Sequence, residues 1–239
     1  MRNGTRTILL LNLVLGLALG ASFGALMGWL IEFFALPAFM VTLAGMFAAR
    51  ACGFIIHDQS MSIKHAFCTW VSRHAEFAVA GFAFPMRSVL FLAVLAAGML
   101  VLTRTAFGRN VYALGGSEKA ARMMGVPVAR TRVAIYALAG GCSALAGWTL
   151  ALARQAGDPS SAVGLELDVI ASVVIGGTLL TGGVGNLVGT LIGVLILGLI
   201  RLLIDFQGNL NAAWTSIATG VLLLVFIAAQ RALARGRAR

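Results

Sequence analysis

The chain has 239 residues, 60% hydrophobic and only 11% charged, with a mean hydropathy of +0.96. That composition cannot supply the polar surface of a soluble globule, and it describes an all-α, polytopic helical membrane protein of about seven hydrophobic segments. The formal net charge of +10 gathers in short loops and the tail, where Lys and Arg set topology and meet anionic lipid, so it is not a nucleic-acid footprint.

Residues 8–31 make the first span. The apolar run of about 24 residues is too long for a signal core. Gly16, Gly20, Gly24 and Gly28 recur every fourth residue and put a flat groove on one helical face, where a second helix can approach closely. Glu32 to Pro37 reads as a short turn, and residues 38–56 as the second span. Arg50 lies inside that span, at a cost of about 2.5–3.5 kcal/mol if held at the bilayer centre. It either snorkels towards the His57 end or faces a polar interior.

Residues 57–85 read as a polar, irregular loop. His57, Asp58, His65, Cys68, His74 and Glu76 are metal-ligand types, but their spacing matches no compact zinc pattern, so no metal is expected. The cysteines Cys52, Cys68 and Cys142 form no CxxC pair; Cys52 and Cys142 lie in apolar segments, where small packing residues are expected. Residues 86–103 make the third span.

The loop 104–132 is the most charged stretch of the chain. Arg104, Arg109, Lys119, Arg122, Arg130 and Arg132 stand against the single acid Glu118, and a basic loop between spans belongs on the cytoplasmic side. A short helix is expected over 117–125. Ser117 can cap it, Glu118 and Arg122 are spaced four apart with the acid first, Gly125 can end it and Pro127 stops its continuation. About two turns of helix cannot stand alone in water, so this segment lies against its own membrane domain or docks on a cytoplasmic partner.

Residues 133–153 make the fourth span, followed by a polar connector at 154–164. Residues 165–181 are barely long enough to cross a core of about 30 Å, and Gly176, Gly177, Gly182, Gly183 and Gly185 interrupt or end them. Gly185, Gly189 and Gly193 open the next span, 186–204, with another close-packing face. Short, Gly-broken segments mark the non-ideal backbone that lines pathways in transporters. Glu166 and Asp168 stand at the mouth of the short segment, either serving its helix dipole or facing the pathway. No Gly-Lys-Ser/Thr follows the glycines, so this is no phosphate loop. Asp205 to Asn211 is a polar turn and residues 212–230 form the last span. With the 104–132 loop inside, the parity of spans puts 154–164 and 57–85 outside and the Arg-rich tail inside. The same parity puts Arg2 and Arg6 outside, against the usual bias.

FGRNVYALGGSEKAARMMGV at 107–126, VGLELDVIASVVIGGTLLTGGVGNLVGTLIGVLILGLI at 163–200 and LPAFMVTLAGMFAARACGFII at 36–56 resemble signatures of the ribose-type sugar permeases of ABC importers. DQSMSIKHAF at 58–67 and NAAWTSIATGVLLLVFIAAQRAL at 211–233 are most similar to the galactofuranose permease within that family. The additional first spans of such permeases, with their Gly-Gly-Ile-Asp-Leu-Ser-Val-Gly-type segment, are absent, so the sequence resembles a permease without its N-terminal spans. The resemblance implies a multi-pass protein of the bacterial inner membrane: a single permease domain over 1–239, with 104–132 as cytoplasmic coupling loop and 57–85 as periplasmic loop. It implies a monosaccharide pathway and, as partners, cytoplasmic ABC ATPase subunits, a second permease chain (related or identical) and a periplasmic sugar-binding protein. This chain would carry no cofactor; ATP and Mg would be bound by the ATPase, and the chain would not be an enzyme.

Gly115, Gly116, Glu118, Ala120, Arg122 and Gly125 are expected to dock the ATPase. Arg50, Gln155, Glu166, Asp168 and Asn186 are pathway candidates by type and location. A non-transporting scaffold or inactive truncated permease is the alternative. An ion-coupled secondary transporter fits less well, since no span has a convincing central acid.

Overall fold

The computed structural model describes residues 2–63, 76–79, 82–179 and 182–206, together with single positions between 217 and 228. The helices are α1 (Arg2–Phe33), α2 (Ala38–Ile56), α3 (Met86–Arg104), α4 (Ala106–Gly116), α5 (Glu118–Met123), α6 (Val128–Arg154), α7 (Leu165–Ile175) and α8 (Leu187–Phe206). Four short strands accompany them: β1 (Met61–Ser62), β2 (Glu76–Val79), β3 (Phe82–Pro85) and β4 (Ala156–Gly157). Among the described residues five helices are long and apolar enough to cross a membrane, and their large side chains are mostly exposed, as a lipid solvent requires. The expected span at 212–230 lies for the most part outside the described residues.

The chain forms two compact units, Met1–Val111 with Arg122–Ser161, and Tyr112–Ala121 with Ala162–Arg239. In the first unit α1 and α6 run antiparallel along a seam of small residues. A Cβ on Gly20 would meet the Gly140 carbonyl and Ala144, one on Gly24 the Tyr136 carbonyl, and one on Gly28 would meet Val133 and Tyr136. Bare backbone at these positions lets the two axes close up. Gly16, expected on the same face, has nothing within 4 Å and takes no part in the seam. A helix turns 3.6 residues, so a strict four-residue spacing drifts around the cylinder and leaves the partner at its end.

The region 57–85 is not irregular throughout. β2 and β3 pair antiparallel, with Glu76 opposite Pro85 and Val79 opposite Phe82. β1 pairs with β4, Met61 opposite Gly157 and Ser62 opposite Ala156, and the Ile63 N–H donates to the Gln155 carbonyl at 2.7 Å. The start of this loop and the 154–164 connector therefore lie together. His65, Cys68 and His74 lie outside the described residues. Cys52 and Cys142 are exposed on α2 and α6 rather than packed.

Two further expectations are corrected. Glu32 is no turn residue: α1 continues to Phe33, and the chain reverses after it through Ala35, whose φ is 50°. The basic loop holds a second helix besides α5, namely α4, set off from α3 at Thr105. There the Thr105 hydroxyl donates to the Val101 carbonyl at 2.6 Å and accepts the Gly108 N–H at 3.3 Å.

In the second unit α7 and α8 form an antiparallel hairpin. α7 is 11 residues long, about 16 Å at 1.5 Å per residue, and cannot cross a hydrocarbon core. Gly177, at φ 87°, ends it, and the turn back to α8 runs through Gly182 and Gly183 at φ 88° and 80°. The hairpin closes at Gly176 against Gly189 and at Ser172 against Gly193, where an added Cβ would strike backbone.

Candidate functional site

The helix α5 forms as its caps dictate. The Ser117 hydroxyl accepts the Ala120 N–H at 3.3 Å, the Ser117 carbonyl accepts the Ala121 N–H at 2.9 Å, and Gly125 turns the chain out at φ 77°. Ala121 is fully buried, which anchors the helix to the protein. Met123 and Met124 are 76% and 70% exposed, so its apolar surface is divided between the protein and the outside. Gly116, Lys119 and Ala120 are also exposed.

Two of the expected docking residues, Gly115 and Arg122, are engaged by the chain itself. Gly115, on α4 in the second unit, lies against Gly182 and Gly183, and a Cβ there would come within 2.8 Å of the Gly183 nitrogen. Tyr112, one turn earlier, donates its hydroxyl to the Gly185 carbonyl at 3.0 Å. The end of α4 is thus keyed to the glycine turn between α7 and α8. In the first unit the Arg122 guanidinium bonds Glu32 Oε1 at 2.8 Å, and Arg132, from the first turns of α6, bonds Glu32 Oε2. Glu32 and Arg132 side chains are 16% and 19% exposed and Arg122 54%, so the carboxylate is the covered member of the trio. Local spacing points from Arg122 to Glu118; the structure adds a partner ninety positions back, Glu32.

The pathway candidates do not gather into one group. In the first unit Arg50 is half-buried within α2, and Gln155 caps α6 in a left-handed conformation at φ 50°, its carbonyl accepting the Ile63 N–H just after β1. In the second unit Glu166 is exposed in the first turn of α7. Asn186 stands at the far end of the hairpin from Asp168, and its Oδ1 accepts the Val188 N–H at 3.0 Å, which makes it the N-cap of α8. Asp168 forms an ion pair with Arg201 of α8. In the sequence Arg201 stands as a single charge within the apolar run 186–204. The rule that flags Arg50, a charge inside a span, picks out Arg201 as well. In the connector, Asp158 accepts the Ser160 hydroxyl at 2.7 Å and the Ser160 N–H at 2.9 Å, and these bonds hold its carboxyl below the usual carboxylate range. Among the described residues no three His, Cys, Asp or Glu side chains gather as a metal site would.

The family model described as branched-chain amino acid transport system / permease component matches residues 1–227. The chain belongs to that permease family. Its relatives include the inner membrane ABC transporter permease protein YjfF of Escherichia coli K12, 46% identical over 206 residues, which are 86% of this chain and 62% of that one. The fructose import permease protein FruG of Bifidobacterium longum is 36% identical over 212 residues, with the same 86% and 62% coverage. The ribose import permease protein RbsC of Bacillus subtilis is 43% identical over 132 residues, 55% of this chain and 41% of that one. The chain spans about three fifths of the length of the curated relatives it matches over most of its length. No solved structure matches it. Membership, together with five helices long and apolar enough to cross a membrane among the described residues, makes this chain a polytopic helical membrane protein of a permease family.

Proposed function

We propose that this permease is the membrane-spanning subunit of an ATP-driven importer and carries a monosaccharide delivered by a periplasmic binding protein. ATP and Mg belong to cytoplasmic ABC ATPase subunits, and a second permease chain completes the pathway. The relatives named for sugars include fructose, ribose, L-arabinose and xylose permeases, which supports a monosaccharide as the cargo class. The likeness to the galactofuranose permease makes a furanose the first sugar to try.

The observation that carries the reading is α5 itself: a doubly capped helix in a basic loop, anchored by Ala121 and presenting Met123 and Met124 outward. Two adjacent exposed methionines suit an adaptable apolar contact. In this reading 104–132 is cytoplasmic, and Gly116, Glu118, Ala120 and the methionines meet the ATPase. Met123→Ser/Met124→Ser, co-expressed with the ATPase subunit, tests it. The variant is expected to accumulate in membranes at the wild-type level and to lose the co-purifying ATPase. Undiminished co-purification would refute the docking role of α5.

A further inference from the structure

We infer that Glu32 is a positioning residue of the transport cycle: the joint through which α5 is tied to the α1–α6 pair. The inference rests on the coupling reading above. Glu32 lies in the last turn of α1, where the helix dipole opposes an acid, so its place there requires compensation from elsewhere. Two arginines supply it, one per carboxylate oxygen, Arg122 from the end of α5 and Arg132 from the start of α6. Charge-assisted bonds to both oxygens fix the carboxylate in direction as well as distance.

The position continues the seam. Glu32 follows Gly28 by four residues, as Arg132 precedes Tyr136 by four, so the trio closes the end of the α1–α6 contact. Arg122 is the member that leads away from that contact, because only the segment Met124–Pro127 separates α5 from α6. Gly125 within that segment is a left-handed turn, which redirects the chain rather than extending a helix. Displacement of α5 therefore reaches α1 through the Arg122–Glu32 bond as well as through the chain. On this account Arg122 acts through Glu32 and not by touching the ATPase.

The test uses the complete transporter, permease with its ATPase and binding protein, in liposomes. Radiolabelled ribose, arabinose, xylose, fructose and galactose serve as probes, and uptake and ATP hydrolysis are measured on the same vesicles. Glu32→Gln is expected to lower the ratio of sugar imported to ATP hydrolysed by about tenfold, in the range of measured coupling between sites, with the ATPase still co-purifying. A merely structural loss would reduce the amount of transporter and leave that ratio alone. Arg122→Gln, at the more exposed end of the bond, must lower the ratio too, and must add nothing in the Glu32→Gln background. An unchanged ratio in Arg122→Gln, or a further multiplicative loss in the double variant, overturns the joint while the coupling reading stands. Absence of ATP-dependent uptake of every probe by the wild type, with no co-purifying ATPase, overturns the coupling reading and this inference with it.

Discussion

The α1–α6 seam can be measured by comparing two glycines that look alike in the sequence. A Cβ added at Gly20 would sit 2.5 Å from the Gly140 carbonyl oxygen and 2.6 Å from the Ala144 Cβ, whereas one at Gly16 would meet nothing within 4 Å. Backbone cannot swing aside as a long side chain can, so Gly20→Ala forces the helices apart by roughly 1 Å, and strain of this kind costs about 1–3 kcal/mol. Replacing Gly by Ala inside a helix also returns about 0.5–1 kcal/mol of backbone entropy. That gain is common to both positions and cancels between them, so the difference between the two variants isolates the clash. Unfolding by titration with a denaturing detergent, followed by tryptophan fluorescence, should place Gly20→Ala about 1–3 kcal/mol below Gly16→Ala. Gly16→Ala itself should match or exceed the wild type. Equal stability of the two variants would refute the close-packed seam.

In the second hairpin, Arg201→Gln leaves Asp168 without its ion pair, so it should cost about 1–3 kcal/mol more than the double variant Asp168→Asn/Arg201→Gln in the same titration, a figure kept low because Arg201 is partly exposed. Additive losses would show that the pair does not act as one. Asn186→Ala removes the N-cap of α8 and should cost about 1 kcal/mol, while Asn186→Asp, which keeps the acceptor, should cost much less; equal losses would deny the cap. Asp158 has a lowered folded pKa, so its bonds to Ser160 are present above the ordinary carboxylate value of about 3.9 and disappear as pH falls through the lower folded value. Protection of the Ser160 amide, read by hydrogen exchange after correction for the intrinsic rate, should stay flat between pH 5 and 8 and fall only in stronger acid. A transition inside that window would contradict the assignment.

The spans were legible because apolar length is a local property: α2 begins and ends where its hydropathy does, at Ala38 and Ile56. The ends of α5 were legible for the same reason, since Ser117, Gly125 and Pro127 act on the residues beside them. What escaped depends on partners far along the chain. Glu32 looked like a turn acid, because nothing near it in sequence announces Arg122 and Arg132. Asn186 looked like a pathway amide, although its bond two residues ahead is local and the Leu-Val start of a helix was there to be read. The β2–β3 hairpin had its own signal: Phe77, Val79, Phe82 and Phe84 alternate with alanines on either side of Ala80–Gly81, a strand pattern hidden inside a stretch that is otherwise polar. Four-residue glycine spacing marked both close-packing faces but not their limits, as Gly16 shows.

The α1–α6 pair and the α7–α8 hairpin share a device that bears on how such helices can move. Small residues repeating every fourth position make a nearly featureless track, along which one helix could slip by a turn, about 5.4 Å, and find a similar groove. Charge does not repeat. Glu32 with Arg132 on one track, and Asp168 with Arg201 on the other, occur only at its end, and a slip would pull each pair apart. The ion pair is the detent on a smooth rail. Each helix pair therefore has one seated register, and sliding along its own seam would break its ion pair.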